Sequence, residues 1–311
     1  MPQAARLRPT RVAPSDVSVL RAILAKPGAT RSAVAAAAGI GRRAVAASVR
    51  RLEKLGAIQP TAVEGKASSR STGLLPNPSF GSVTAVWVEP GRVKAASVDF
   101  SGGLGPHVLL SAPTAEDVPA AIAEATARLA RTGGHAPELG RRCVIAGPLA
   151  RRSARIEGGP LDLTEMEACT SSSAVGLVYS AAPSPANVRL SVDLAAGTAS
   201  LLSGGRPTAD LDLTAFPAWA DARRPETGSE ARLRAFHDVV MWLLACVHPD
   251  ECILFFSRAV GQEWDFLEDF RSRVARSGRE EGCFVRIVEP AEWDWAEGVR
   301  RIVLADWLDE A

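Results

Sequence analysis

The chain has 311 residues, 47% apolar and 23% charged, which is enough for a sizeable buried core and more than one domain. Net charge is only +1, yet residues 1–75 hold 13 Lys or Arg against 3 Asp or Glu, so a segment of net +10 precedes a body of net −9. That split suits one module that meets a polyanion. The five scattered cysteines contain no Cys-x-x-Cys pair and argue against a disulfide framework or a zinc ribbon.

Residues 1–14, "MPQAARLRPTRVAP", read as a basic tail without the apolar stretch of a signal peptide. No apolar run reaches the ~18 residues of a spanning helix, and a cytoplasmic location without a membrane partner is expected. "PSDVSVLRAILAKPG" predicts a first helix, with Ser15 as N-cap, Asp16 at the positive end of the dipole, and Val17, Leu20, Ile23 and Leu24 as its apolar stripe. Pro27-Gly28 stops it. Thr30 then caps an Ala-rich second helix carrying Arg31 and Val34, closed by Gly39.

After the turn Gly39-Ile40-Gly41, a third helix is expected from Arg42 to Leu55. Val45, Val49, Leu52 and Leu55 repeat at helical spacing toward a core, while Arg42, Arg43, Ala46, Ala47 and Arg50 fall on the opposite side. Small residues between arginines let a helix sink into the DNA major groove, with long side chains reaching phosphates and base edges. A helix built for solubility would interleave Glu with Lys at i, i+4 instead. Gly56, the strand-like "AIQPTAV", the polar tip "EGKASSRST" and the returning "GLLPNP" complete a winged helix over residues 15–78. The candidate DNA-contacting residues are Arg31, Arg42, Arg43, Ala46, Ala47, Arg50, Lys66 and Arg70.

Residues 79–311 change to an α/β pattern. "SVTAVWVEPGRVKAASVDFSGGL" and "HVLLSA" predict three strands, Thr114-x-x-Asp117 opens a helix to about Arg131, and "RCVIAGPL" is a buried strand. "NVRLSVDLAAGTASLLSGGRP" is another hairpin, followed by helix 230–247, strand "ECILFFS", helix 264–276, strand "CFVRIVEP" and helix 295–309. Strands, helix and strand occurring twice imply a duplicated α/β body. The tryptophans of its C-terminal third, Trp219, Trp242, Trp264, Trp293, Trp295 and Trp307, are expected in the core or at a subunit interface.

The order of "GIGRRAVAASVRRLEKLGAI", "SSRSTGLLPNP", "VDLAAGTASLLSGGRP" and "CVHPDECILFFS" resembles the repressor–open reading frame–kinase (ROK) family of transcriptional regulators and sugar kinases. The resemblance implies an N-terminal winged helix-turn-helix and an actin-like, ribonuclease-H-type two-lobed body, and it covers nearly the whole chain. It also makes the departures informative. Where the family's kinases carry an Asp-x-Gly-x-Thr phosphate loop, this chain has Glu89-Pro90-Gly91-Arg92. Where they place an Asn-Asp pair with the catalytic base, it has "EACTSSSAVG", and the second phosphate loop is reduced to "AAGTA". Between Arg206 and Leu233 there is no His or Cys for the family's zinc site or its Glu and His sugar ligands.

These departures lead us to expect a sequence-specific DNA-binding regulator with no catalytic residues, no cofactor and no metal. Double-stranded DNA is the expected partner, and the kinase-like body is expected to form a homodimer or higher homo-oligomer. A small-molecule effector, a sugar or derivative, is left open. An active sugar kinase with a DNA-binding head, or a pseudo-kinase that binds a partner protein, are the alternatives.

Overall fold

The computed structural model describes residues 13–62, 72–89, 91–114, 116–132, 136–145, 167–179, 188–204, 206–222, 224, 227–256 and 267–310. Its head comprises α1 (Pro14–Ala25), β1 (Ala29–Thr30), α2 (Arg31–Ala38), α3 (Arg42–Leu55), β2 (Ile58–Ala62) and β3 (Thr72–Pro76). The three strands form an antiparallel sheet in the order β1-β3-β2. Gly39 and Gly56, at φ +67° and +79°, end α2 and α3 in the left-handed region that a side chain resists. Val17, Leu20 and Ile23 of α1 close on Val34, Val45, Val49, Leu52, Ile58 and Leu74. Burying each such side chain stabilises the head by roughly 1.5–3 kcal/mol before chain entropy is counted.

Two expectations for the head need correction. Ser15 does not cap α1; Pro14 occupies the first helical position after Ala13, where its missing N–H costs nothing. Leu55, expected on the core face, is 41% exposed because the helix has rotated it past the edge of the packed stripe. A 3-10 turn, Pro78–Phe80, then joins head to body. Asn77 fixes this joint through its side-chain amide to the Gly56 carbonyl (2.8 Å), and the Phe80 ring packs edge-on against Phe100 and Trp307 at 4.9 and 5.9 Å.

The body holds two five-stranded sheets of the same design. The first is ordered β6-β5-β4-β7-β8, from β4 (Ser82–Glu89), β5 (Gly91–Asp99), β6 (Leu104–Ala112), β7 (Glu138–Ile145) and β8 (Glu167–Thr170). The second is ordered β11-β10-β9-β12-β13, from β9 (Arg189–Asp193), β10 (Thr198–Ser203), β11 (Arg206–Asp212), β12 (Glu251–Phe255) and β13 (Phe284–Ile287). In each sheet three antiparallel strands are extended by two parallel ones. This is the duplication expected from the sequence. Strand β11 and the short helix α6 (Pro217–Ala222) were not expected, nor was the reading of "EACTSSSAV" as β8 followed by helix α5 (Ser171–Tyr179).

Helix α4 (Val118–Thr132) covers one face of the first sheet. It begins one turn later than expected, because the Asp117 carboxylate accepts from both the N–H and the hydroxyl of Thr114 while the Asp117 carbonyl receives Ala121. Helices α7 (Ser229–Val247) and α8 (Leu267–Glu280) cover the outer face of the second sheet. The inner faces are covered crosswise. Helix α5 leaves the first sheet and packs on β9 and β10, whereas α9 (Asp294–Asp309) leaves the second sheet and packs on β4, β5 and β7. The two helices cross where Gly298 meets Ala174 so closely that a Cβ on Gly298 would lie 1.7 Å from the Ala174 carbonyl oxygen.

Of the tryptophans, Trp219, Trp295 and Trp307 are buried, Trp242 is 45% exposed and Trp264 lies outside the described residues. The stripe Trp295, Val299, Ile302, Val303 and Trp307 is buried along α9. Among the described residues no helix is long and apolar enough to cross a membrane.

Candidate nucleic-acid interface and kinase-like sites

Helix α3 begins at Gly41, which offers no side-chain cap, and its first turn holds no acid. The first-turn amides therefore have no side-chain acceptor from the cap, and Arg42 and Arg43 stand exposed beside them. Two cations at the positive end of a helix dipole oppose the helix, each by about 0.3–1 kcal/mol. A stability rule broken twice in succession marks a site kept for another purpose. Free amides plus guanidinium groups at a helix N-terminus form an anion site of the kind that grips phosphate.

Arg50 is exposed two turns further along, and Ala46 and Ala47 between them are half-buried, so the helix surface there is low and flanked by long cations. Ala44, next to Arg43, is exposed as well. Arg31 on α2 is about half exposed and stands 3.7 Å from Glu53 of α3, a long pair that leaves the guanidinium accessible. Lys66 and Arg70 lie outside the described residues. Arg51 is also about half exposed, but its guanidinium is engaged within the head. It donates from Nε and Nη2 to the two oxygens of Asp16 at 2.8 and 2.6 Å, and Nη2 also reaches Ser48. The Arg51 hydrogen bonds hold the Asp16 carboxyl below its usual value against the opposing effect of burial.

In the body, the two hairpin turns that would cradle phosphates in a kinase have other occupants. At the first, Glu89 receives Trp87 Nε1 (3.1 Å), pairs with Arg92 and lies 3.7 Å from Lys94 Nζ; Pro90 is outside the described residues. Glu89 thus already pairs with the two cations, Arg92 and Lys94, that a phosphate would otherwise meet here. At the second, Asp193 is fully buried, and its Oδ1 accepts the amides of Ala195 and Ala196 at 3.1 and 3.0 Å. The Trp219 indole donates to the Leu194 carbonyl at 3.0 Å and lies over Gly197. The donors that a phosphate would use are engaged, and an indole covers the turn.

The start of α5 holds Ser171, Ser172 and Ser173, all fully buried. Ser171 donates to Asp193 Oδ2 at 2.6 Å, and Ser172 and Ser173 meet Ser200 at 2.6 and 2.9 Å. Asp210 of β11 accepts from Ser173 (2.8 Å) and Thr170 (3.1 Å), bringing a carboxylate to a segment that has none of its own. The sequence held no signal for this meeting, since Asp210 is remote in the chain. Among the described residues no three His, Cys, Asp or Glu side chains group as a metal site would require.

Residues 13–59 match the winged helix-turn-helix DNA-binding family. Among solved structures, a ROK family transcriptional regulator, a homolog of the E. coli MLC protein, aligns over 95% of this chain and 97% of its own, with TM-score 0.61 at 10% identity. The chain has the fold of a ROK regulator. The ROK hexokinase from Thermus thermophilus aligns over 72% of this chain and 99% of its own, with TM-score 0.52 at 15% identity. No curated protein matches in sequence. The ROK-fold body thus carries a winged helix ahead of its first sheet.

Proposed function

We propose that the chain is a sequence-specific DNA-binding transcriptional regulator of the ROK type, in which the kinase-like body pairs two heads and does not phosphorylate sugars. The observation that carries this reading is the exposed Arg42–Arg43 pair at the uncapped N-terminus of α3, an arrangement that costs helix stability and suits phosphate and base edges. Arg31, Arg42, Arg43, Ala46, Ala47 and Arg50, with Lys66 and Arg70 of the hairpin tip, form the proposed contact set. Pairing of heads is supported by the size of one recognition helix, which reads too few bases alone; two-fold partners reading a palindrome are the usual remedy.

The self-occupied turns at Glu89 and Asp193 weigh against phosphoryl transfer, which depends on positioning and electrostatic stabilisation of phosphate oxygens. Anisotropy of a fluorescent duplex titrated with the full chain tests the reading. Log affinity is expected to fall with log salt at about 0.9 per phosphate neutralised, and Arg42→Ala with Arg43→Ala is expected to flatten that slope. Affinity that ignores salt, or none for any duplex, overturns it.

A further inference from the structure

Asp309, in the last turn of α9, is held from two directions. With the lobes taken as the two five-stranded sheets and the helices on their outer faces, its Oδ1 receives Arg21 of α1 in the head, and its Oδ2 receives Arg206 at the start of β11 in the second lobe. The helix that carries it is fixed to the first lobe: Arg142 of β7 pairs with Asp306 at 2.6 Å, and the buried Arg300 donates to the Phe100 carbonyl at 2.9 Å. Arg206 also donates to the Ala305 carbonyl at 2.5 Å, at the negative end of the helix dipole. One turn and a half of α9 thus joins the head, the first lobe and the second lobe.

We propose that Asp309 is the coupling point through which the placement of the second lobe is passed to the DNA-binding head. This rests on the reading of the N-terminal residues as that head. A carboxylate has two oxygens, and each is now committed to one arginine. When the second lobe turns about the α5–α9 crossing, Arg206 is drawn off Asp309, and the released oxygen becomes available to Arg21. Arg21 then gains a two-pronged hold in place of a single contact. Lobe separation therefore tightens the head on the body, and lobe approach loosens it. The lobe position and the head position bias one another equally, as linkage demands. Phe80, wedged against Phe100 and Trp307, gives the head a packed seat on which this change in grip acts.

The sign is what separates coupling from damage. Arg206 pairs with no head residue among its recorded partners, and the side chains of Arg21, Arg206 and Asp309 are 35–49% exposed, so substitutions there leave the core intact. Amide hydrogen exchange of the full chain, without DNA, is followed in peptides covering residues 14–25. Arg206→Ala is expected to slow exchange there by about threefold or more, and Asp309→Asn to speed it by a similar factor. Arg128→Ala, whose partner Glu124 is on its own helix, is expected to change nothing in α1. If Arg206→Ala leaves α1 exchange unchanged, or speeds it as Asp309→Asn does, the coupling is refuted. Since no DNA is present, that result is independent of whether the head binds a duplex.

Discussion

Arg51 and Asp16 are joined by two parallel hydrogen bonds of 2.8 and 2.6 Å, which tie helix α3 to the first turn of α1. Five of the six charged residues clustered on residues 42–54 are basic, and this contact separates one of them from the rest. Arg50 is turned to solvent, while Arg51, rotated about 100° from it by the helix, faces a carboxylate that is only 4% exposed. Arg51 is therefore committed to a contact between α1 and α3, although about half of its side chain stays exposed.

The first prediction concerns this pair and acid. The Asp16 carboxyl titrates below 3.8 because Arg51 donates to it, so the pair stabilises the fold fully above that value and loses its effect as pH falls through the lowered one. Urea midpoints of the native protein and of Asp16→Asn should be well separated at pH 7, the variant being the weaker. They should converge only as pH falls through the lowered value, where the carboxyl is protonated in the folded and the unfolded chain alike. A gap that persists at low pH would mean that the Asp16 charge is not the stabilising element.

Arg42 and Arg43 should show the opposite balance of stability and binding. Replacing either by Ala removes a cation from the positive end of α3 and should stabilise the head by about 0.3–1 kcal/mol. The same change should weaken duplex binding by about 1–3 kcal/mol if that side chain meets a base edge. Thermal melts and anisotropy on the same samples read both quantities. Loss of stability together with loss of binding would place these arginines in the structure of the head and not at its interface.

At the crossing of α5 and α9, Gly298→Ala would set a Cβ 1.7 Å from the Ala174 carbonyl oxygen, with backbone on both sides and no flexible side chain to yield. The helices must part, at a cost of about 1–3 kcal/mol. Gly41→Ala, where a Cβ would meet nothing within 4 Å, is the comparison and should be far milder. Equal denaturation midpoints for the two variants would contradict the close crossing.

Much of this architecture could be read in the chain before it was folded. Helix α3 was legible because Val45, Val49 and Leu52 repeat at helical spacing between two glycines that end helices. The duplicated body was legible because each half repeats strands, helix and strand in the same order. Helix α5 was not. Ser171-Ser172-Ser173 is a poor helix former, since serine hydroxyls compete for the backbone. It is buried against both the second sheet and α9, so no amphipathic stripe marks it. Its hydroxyls are satisfied by Asp193 and Ser200, and Ser173 also by Asp210, partners supplied only by the folded second lobe. The pairing of Arg51 was hidden for a similar reason, because its carboxylate, Asp16, comes from another helix.

The last prediction is that the body releases no ADP in response to sugars. In the second hairpin turn the Asp193 carboxylate accepts two backbone amides and the Ser171 hydroxyl, and Gly197 N–H closes on the Asp193 carbonyl at 2.9 Å. A nucleotide phosphate entering this turn would have to displace a buried carboxylate and meet its charge. In the first turn it would find Arg92 and Lys94 already paired with Glu89. Asp193→Ala would strip three hydrogen bonds from a fully buried position and leave their donors unsatisfied, destabilising the second lobe by about 1–3 kcal/mol. A kinase would instead need those donors free in its resting state. A coupled ADP assay over a panel of hexoses should therefore give the same rate with and without sugar, and calorimetry with magnesium and ATP should show no saturable heat. Asp193→Ala should lower the melting temperature without creating turnover. Sugar-dependent ADP release that disappears on substitution of Asp210 would show that the carboxylate gathered at the start of α5 acts as a base after all, and the chain would then have to be read as an enzyme with a DNA-binding head.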